Sequence, residues 1–369
     1  MERRKTKHKN DNKHEEDFIS DLSDCILLHT LSFLNAKEAV QTCILSKRWI
    51  NLWNTLPTLT LSSSNFRTCT SFDQFLSQIF SLRDHSSAIR ALCLHYNHFM
   101  GIRLYKKIIE YTFSHNVQRF RINYNSIQHL PPCFFSSHTL TSLHLSSYSL
   151  FRSGSTQIFP NSLNFPALTT LSLERLAFRC GTSDDDGCVD PFSTFNMLNT
   201  LIIDLCVILD AQNLRISSTK LLNLTICMYD NDPRKNFRSS FGIELYAPTV
   251  HTFEYSGGEY IPKLFGSKSV ISSIKHVSIH LLSFRRNKTS ILFSWLVELA
   301  NIESLTANSS ALTDLLVFPD LLKVKLPSLL CNLKSLKLKL FQPWAHAKLV
   351  DFLLQNSPSA KVEFSKSLL

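Results

Sequence analysis

The sequence predicts an α/β fold: a short helical unit at the N-terminus, then a long array of parallel strands. Three observations predict it. Residues 23–53 carry apolar residues at helical spacing, interrupted by capping residues. Beyond residue 88, short runs of alternating apolar and polar residues return every 23 to 31 residues. Amphipathic helical segments fall between several of these runs.

A chain of 369 residues can hold two or three domains, or one extended repeat domain. The 27 Phe suit an elongated core built of many small layers. Only 8 Gly are present, and neither GxGxxG nor GxxxxGK[ST] occurs, so glycine-cradled phosphate sites are not expected.

Residues 1–16 are read as a disordered, charged tail. Arg3, Arg4, Lys5, Lys7 and Lys9 share it with Asp11, Glu15 and Glu16. Its alternative reading is a nuclear-import signal. The net charge of +10 raises the question of nucleic acid, but the other basic residues are scattered and no aromatic residues interleave with the basic cluster. No nucleic-acid partner is expected. There is no apolar secretory core and no run of about 18 apolar residues. The expectation is no membrane contact and a place in the nucleus, the cytoplasm or both. The 10 Cys form no CxxC pair and are read as free thiols. Cys180 and Cys188 flank "GTSDDDG" and would pair only in an oxidising setting. The sequons at Asn223, Asn287 and Asn308 are read as chance matches.

Residues 17–57 predict three short helices. The first begins near Ser23 or Asp24, either of which can cap it, and Ile26, Leu27, Leu31 and Leu34 supply an apolar stripe. The second begins after Asn35, with Glu38 placed for a capping box and Ala39, Val40, Cys43 and Ile44 on its apolar face. Ser46 would cap a third, "KRWINLW", whose Trp49 and Trp53 share one face. A unit this small seldom stands alone, so its apolar residues require the rest of the chain or a partner.

The stretch "DFISDLSDCILLHTLSFLNAKEAVQTCILSKRWINLWNTLPTLTL" resembles the plant F-box motif. Leu22, Ile26, Leu27, Leu31, Leu34, Lys37, Ala39, Thr42, Leu45, Ser46, Lys47, Arg48, Trp49, Leu52, Trp53 and Pro57 match its pattern. The sequence departs from it at Ser23, where Pro is usual, at Cys25, where Glu is common, and at Thr30–Leu31, where the Ile-Leu pair is incomplete. The resemblance implies that this unit docks a Skp-type adaptor and, through it, a cullin. The residues it implies for docking are Leu22, Ile26, Leu27, Leu31, Leu34, Val40, Leu45, Trp49 and Trp53. Ser23 can still cap a helix, which implies weaker rather than lost docking.

Residues 58–369 are read as irregular leucine-rich repeats, a horseshoe-shaped solenoid with parallel strands on its concave side. The inward residue that opens each strand is Leu92, Phe120, Leu143, Leu171, Leu201, Leu224, Phe253, Val277, Leu305 or Leu336. The residues that follow these would face the concave side and meet a target protein: Cys93, Arg121, His144, Ser172, Ile202, Thr225, Glu254, Ser278, Thr306 and Lys337. "FDQFLSQIFSL", "RLYKKIIEYTF", "SILFSWLVELAN" and "AHAKLVDFLLQN" read as convex helices. "LPPCFF", "NFPAL" and "YAPTV" read as turns. An F-box followed by leucine-rich repeats resembles a common plant pairing, to which many relatives add an FBD segment. No full FBD is recognised here.

No chemistry-bearing constellation stands out. His95 and His98 lack a third ligand nearby, and Asp184, Asp185 and Asp186 lack calcium-loop spacing. Arg285, Arg286 and Lys288 read as an exposed basic loop. No catalytic residue, metal or cofactor is assigned. The reading is a non-catalytic substrate-recognition subunit of an SCF-type (Skp–cullin–F-box) E3 ubiquitin ligase. The alternative is a repeat scaffold for protein binding, with the helices as its cap.

Overall fold

The structure is a computed structural model. It describes residues 19, 21–84, 86–96, 101–123, 130–135, 137–147, 157–160, 163, 165–180, 187–228, 241–257, 261–281, 289–299, 301–308, 310–311, 332–340, 351, 354–355 and 357–366.

Helices α1 (Asp24–Leu31) and α2 (Ala36–Gln41) open the chain, followed by 3-10 turns at Thr42–Ile44, Lys47–Trp49 and Leu52–Thr55. The start of α2 closes as its sequence implies. Asn35 Oδ1 accepts from the Glu38 amide, and Glu38 Oε2 accepts from the Asn35 amide. Ser23 occupies the N-cap of α1 without a capping bond; its hydroxyl sits 2.8 Å from Cys25 Sγ instead. "KRWINLW" forms two 3-10 turns, not the single helix expected, and Ser46 makes no side-chain cap. A 3-10 turn tightens the chain to three residues per turn. That change begins at Thr42, so Ile44 leaves the buried side of α2, where the helical spacing had placed it.

The array then alternates strands and coverings. Its first part is β1 (Thr58–Ser62), α3 (Cys69–Leu82), β2 (Ala91–His95), α4 (Ile102–Ser114), β3 (Arg119–Asn123), α5 (Pro132–Phe135) and β4 (Ser142–Ser146). The middle holds β5 (Thr170–Glu174), β6 (Ala177–Arg179), β7 (Cys188–Val189), β8 (Thr200–Asp204), β9 (Val207–Leu209), β10 (Asn213–Ser217), β11 (Asn223–Met228), β12 (Gly242–Tyr246), β13 (Thr252–Gly257) and β14 (Leu264–Gly266). The last part is α6 (Lys268–Ile271), β15 (His276–Leu281), α7 (Thr289–Glu298), β16 (Ser304–Asn308), β17 (Ser335–Leu340) and β18 (Lys361–Lys366).

Twelve strands form one parallel sheet in the order β1-β2-β3-β4-β5-β8-β11-β13-β15-β16-β17-β18. A parallel neighbour requires a crossover connection, which is what the helices and short strands between them supply. The ten inward residues named from the sequence pair in a single row from Leu92 to Leu336, and all are buried. The row two residues on, from Leu94 to Leu338, is buried as well. Each buried aliphatic side chain contributes about 1.5–3 kcal/mol.

The covering layer changes along the array. At the N-terminal end α3 and α4 close the core: Phe72 meets Tyr96 at 5.5 Å, and Phe113 meets Phe120 edge-on at 5.2 Å. Further along, Trp295 of α7 lies edge-on to Phe253 and Tyr255, and its indole donates to the Pro262 carbonyl. Between these ends a second parallel sheet, β14-β12-β10-β7, takes the place of helices. The sequence reading missed this layer. β6 and β9 pair beside it in a separate two-stranded parallel sheet, and two residues steer the chain into those strands. Arg175 and Leu205 follow β5 and β8 directly and adopt left-handed backbone, with φ of 55° and 51°. "LPPCFF" is also a correction: it forms α5, because Pro at the first helical position loses no bond a helix needs. Most of "AHAKLVDFLLQN", together with Arg285, Arg286, Lys288, His98 and Asp184–Asp186, lies outside the described residues.

Candidate partner-binding surfaces

The helical unit carries both sealed and exposed apolar residues. Leu27, Leu31, Ala36, Ala39, Trp49, Leu52 and Leu56 join the buried core that runs into Leu59, Leu61 and the strands beyond. Polar ties hold the unit against the array. Lys37 Nζ donates to the Asn65 carbonyl at 2.7 Å and lies over the Phe66 ring. Arg83, buried at the end of α3, donates to the carbonyls of Leu56 and Ala88. Within the unit, Arg48 spans from the third segment to the first. Its Nε and Nη2 donate to Asp24 Oδ1, and Nη2 also donates to the Leu22 carbonyl.

Other apolar residues of the unit are exposed. Ile44 is 88% exposed, Phe33 77% and Leu45 61%, and Ile19, Ile26 and Ile50 are each about half exposed. Of the residues implied for docking, Ile26 and Leu45 are among these exposed residues. Leu22, Leu34, Val40 and Trp53 are half-buried against the core. Leu27 and Leu31, at 1% exposure each, and Trp49, at 8%, are sealed inside. They correct the implied set, because a side chain already packed by its own chain has no area left for a partner. Phe33, Ile44 and Ile50 were missed. Phe33 and Ile50 fall outside the simple helical stripe and Ile44 was read as part of it, but they sit at a helix end and in 3-10 turns, and that irregular backbone turns them outward.

The sheet presents a second surface. Cys93, Arg121, His144, Ser172, Ile202, Thr225, Glu254, Ser278, Thr306 and Lys337 pair one to the next in a single row, extended by Thr60 and Glu363 at its ends. Arg121 and Lys337 are exposed and the other eight half-buried. The structure therefore brings all ten expected residues together on the face opposite the core.

Electrostatics on this face are uneven. His144 Nδ1 lies 2.8 Å from Ser172 Oγ, and its Nε2 lies 4.0 Å from Glu174 Oε2. The spacing invites an ion pair, but burial, reinforced by the nearby Arg121 and His95, drops the imidazole to about 4, so it is neutral near pH 7. Arg175 pairs with Glu174 instead. Cys93 Sγ lies 3.1 Å from His95 Nε2. Burial pushes the thiol up and the imidazole down, which favours a neutral pair over a thiolate nucleophile. Cys206 is pushed up to about 12 by complete burial and serves packing. Cys180 and Cys188 are both free thiols.

A cavity of about 1100 Å³ lies on the covering side between β12, β14, α6 and α7. Its central charges are already satisfied. Glu244 accepts from Arg215 twice at 3.1 Å, from Asn213 at 2.9 Å and from Cys188 at 3.0 Å. Among the described residues no cluster of three or more His, Cys, Asp or Glu could hold a metal ion. No helix among them is long and apolar enough to cross a membrane.

Comparison with known proteins matches these features. Residues 19–61 fit the profile of the F-box domain. An FBD-associated F-box protein of Arabidopsis thaliana is 23% identical over 365 residues, 94% of this chain and 71% of that protein. F-box/LRR-repeat protein 13 of the same plant is 29% identical over 57% of this chain and 46% of its own length. An F-box/FBD/LRR-repeat protein, also from Arabidopsis thaliana, is 34% identical over 31% of this chain and 25% of its own length. The chain thus spans less than half of the latter two relatives. Residues 19–61 thus fit an F-box domain, and the chain as a whole is similar to plant F-box proteins, some of which carry leucine-rich repeats.

Proposed function

We propose that the chain is a substrate-recognition subunit of an SCF-type E3 ubiquitin ligase. In this reading residues 17–57 form the F-box unit, which docks a Skp-type adaptor and through it a cullin. Residues 58–369 form the leucine-rich-repeat unit, a solenoid whose concave sheet face holds a target protein. The chain would do no bond chemistry itself. It would raise the effective concentration of target lysines beside the charged ubiquitin-conjugating enzyme.

One observation carries the reading: among the described residues of this unit, six large apolar side chains, led by Ile44 and Phe33, stand exposed while others are sealed in the core shared with the sheet. A mere cap on the array would need its inner face apolar and its outer face polar. So many exposed apolar residues fit a partner. The surface assigned to the adaptor is therefore Ile19, Ile26, Phe33, Ile44, Leu45 and Ile50, edged by Leu22 and Leu34.

The test is affinity purification of the tagged chain from plant tissue under proteasome inhibition. Adaptor and cullin should co-purify with the wild type and be lost from a Phe33→Asp, Ile44→Asp variant. Recovery of neither with the wild type would sink the ligase role and leave the scaffold reading standing.

A further inference from the structure

The open face of the sheet has one pole unlike the rest. Across β1, β2, β3 and β4 its three rows carry Thr58, Thr60, Ser62, Ala91, Cys93, His95, Arg119, Arg121, Asn123, Ser142, His144 and Ser146. No carboxylate stands among them, and two guanidiniums do. Arg119 and Arg121 are exposed, and neither has an ion-pair partner among the described residues. Elsewhere on this face two charges are matched: Glu174 has Arg175, and Lys337 has Glu363 at 3.0 Å.

Spacing makes the pole specific. Arg119 and Arg121 are two apart on one strand, so their side chains leave the same face about 6.7 Å apart. An extended peptide repeats its own same-face side chains at that distance. A guanidinium also offers a planar fork that fits a carboxylate with two parallel bonds. His95 and His144 flank Arg121 in the neighbouring strands, His144 beside it in the same row. As neutral imidazoles they can donate or accept without competing for the anion.

We propose that this pole recognises an acidic segment of the target, extended along β3, with carboxylates at alternate positions facing Arg119 and Arg121. The inference deepens the target-binding reading of the sheet face and rests on it.

The probe is a fluorescein-labelled peptide of alternating Gly and Glu, measured by anisotropy with the full-length chain. A control peptide of equal charge places its Glu residues in adjacent pairs. The alternating peptide should bind several-fold tighter than the paired one. Arg121→Gln and Arg119→Gln should each weaken it about tenfold. Arg103→Gln, an exposed change on α4 in the covering layer, should leave it unchanged. Equal affinity for both peptides, or equal loss in Arg103→Gln, would overturn the proposal. So would tighter binding of an alternating Gly-phosphoserine peptide than of the Glu peptide, because it would assign the pole to phosphorylated segments. Adaptor capture is measured on the same preparations. Its loss would fault the ligase reading, whereas its retention beside an indifferent Arg121→Gln would fault this one.

Discussion

Lowering the pH from about 7.5 to about 5 should destabilise the protein through His144, and the structure sets the size. The imidazole side chain is 17% exposed, and burial holds it neutral in the folded state down to about 4, against an ordinary value of 6.5. Between these values the unfolded chain binds a proton that the folded chain refuses. The contribution of neutral His144 is therefore complete above pH 6.5 and is lost as the pH falls towards 4. At pH 5 the lost portion is about 2 kcal/mol, approaching roughly 3 when the titration is complete. His95 and His280 shift in the same sense, while Glu174, Asp190 and Glu298, raised by burial, work against them at lower pH. A difference measurement removes these shared contributions. Urea unfolding of wild type and His144→Asn is compared at both pH values. The wild type should lose about 2 kcal/mol more than the variant. An equal loss in both would refute the reasoning and show that His144 is charged in the folded protein.

Three further predictions concern the helical unit. Leu31→Ala removes a side chain sealed in the shared core and should cost about 2–5 kcal/mol, read as a fall in the urea midpoint. Phe33→Asp, two residues on and facing water, should stay within about 0.5 kcal/mol of wild type in the same assay. Asn35→Ala breaks the capping box of α2 and should cost about 1 kcal/mol.

The sheet was legible in the sequence because its signal is local and repeated. An alternating strand leaves no freedom about which residues face in, and a one-residue slip would turn Leu171 or Leu201 out to water. That is why the row from Cys93 to Lys337 could be read residue by residue. The second sheet was not legible. Its strands are short; β7 has two residues and β14 three. They lie where a helix and a strand are equally able to cover the core. The helical unit fell between these cases. α2 and its cap were plain in "NAKEA", but Leu27 and Ile26 are adjacent apolar residues of one stripe, and only packing against the rest of the chain decides that Leu27 is covered and Ile26 is not. Arg119 and Arg121 became a pair of interest only once register showed no carboxylate in their rows on β1 to β4.

The central claim is that the exposed apolar residues of the helical unit are built for another protein. Its most direct test is calorimetric titration of a purified plant Skp-type adaptor into the full chain. Burying Phe33 and Ile44 is worth about 3–4 kcal/mol together, so the Phe33→Asp, Ile44→Asp variant should bind at least roughly 100-fold more weakly at unchanged fold stability. Matching affinities for wild type and variant would contradict the account.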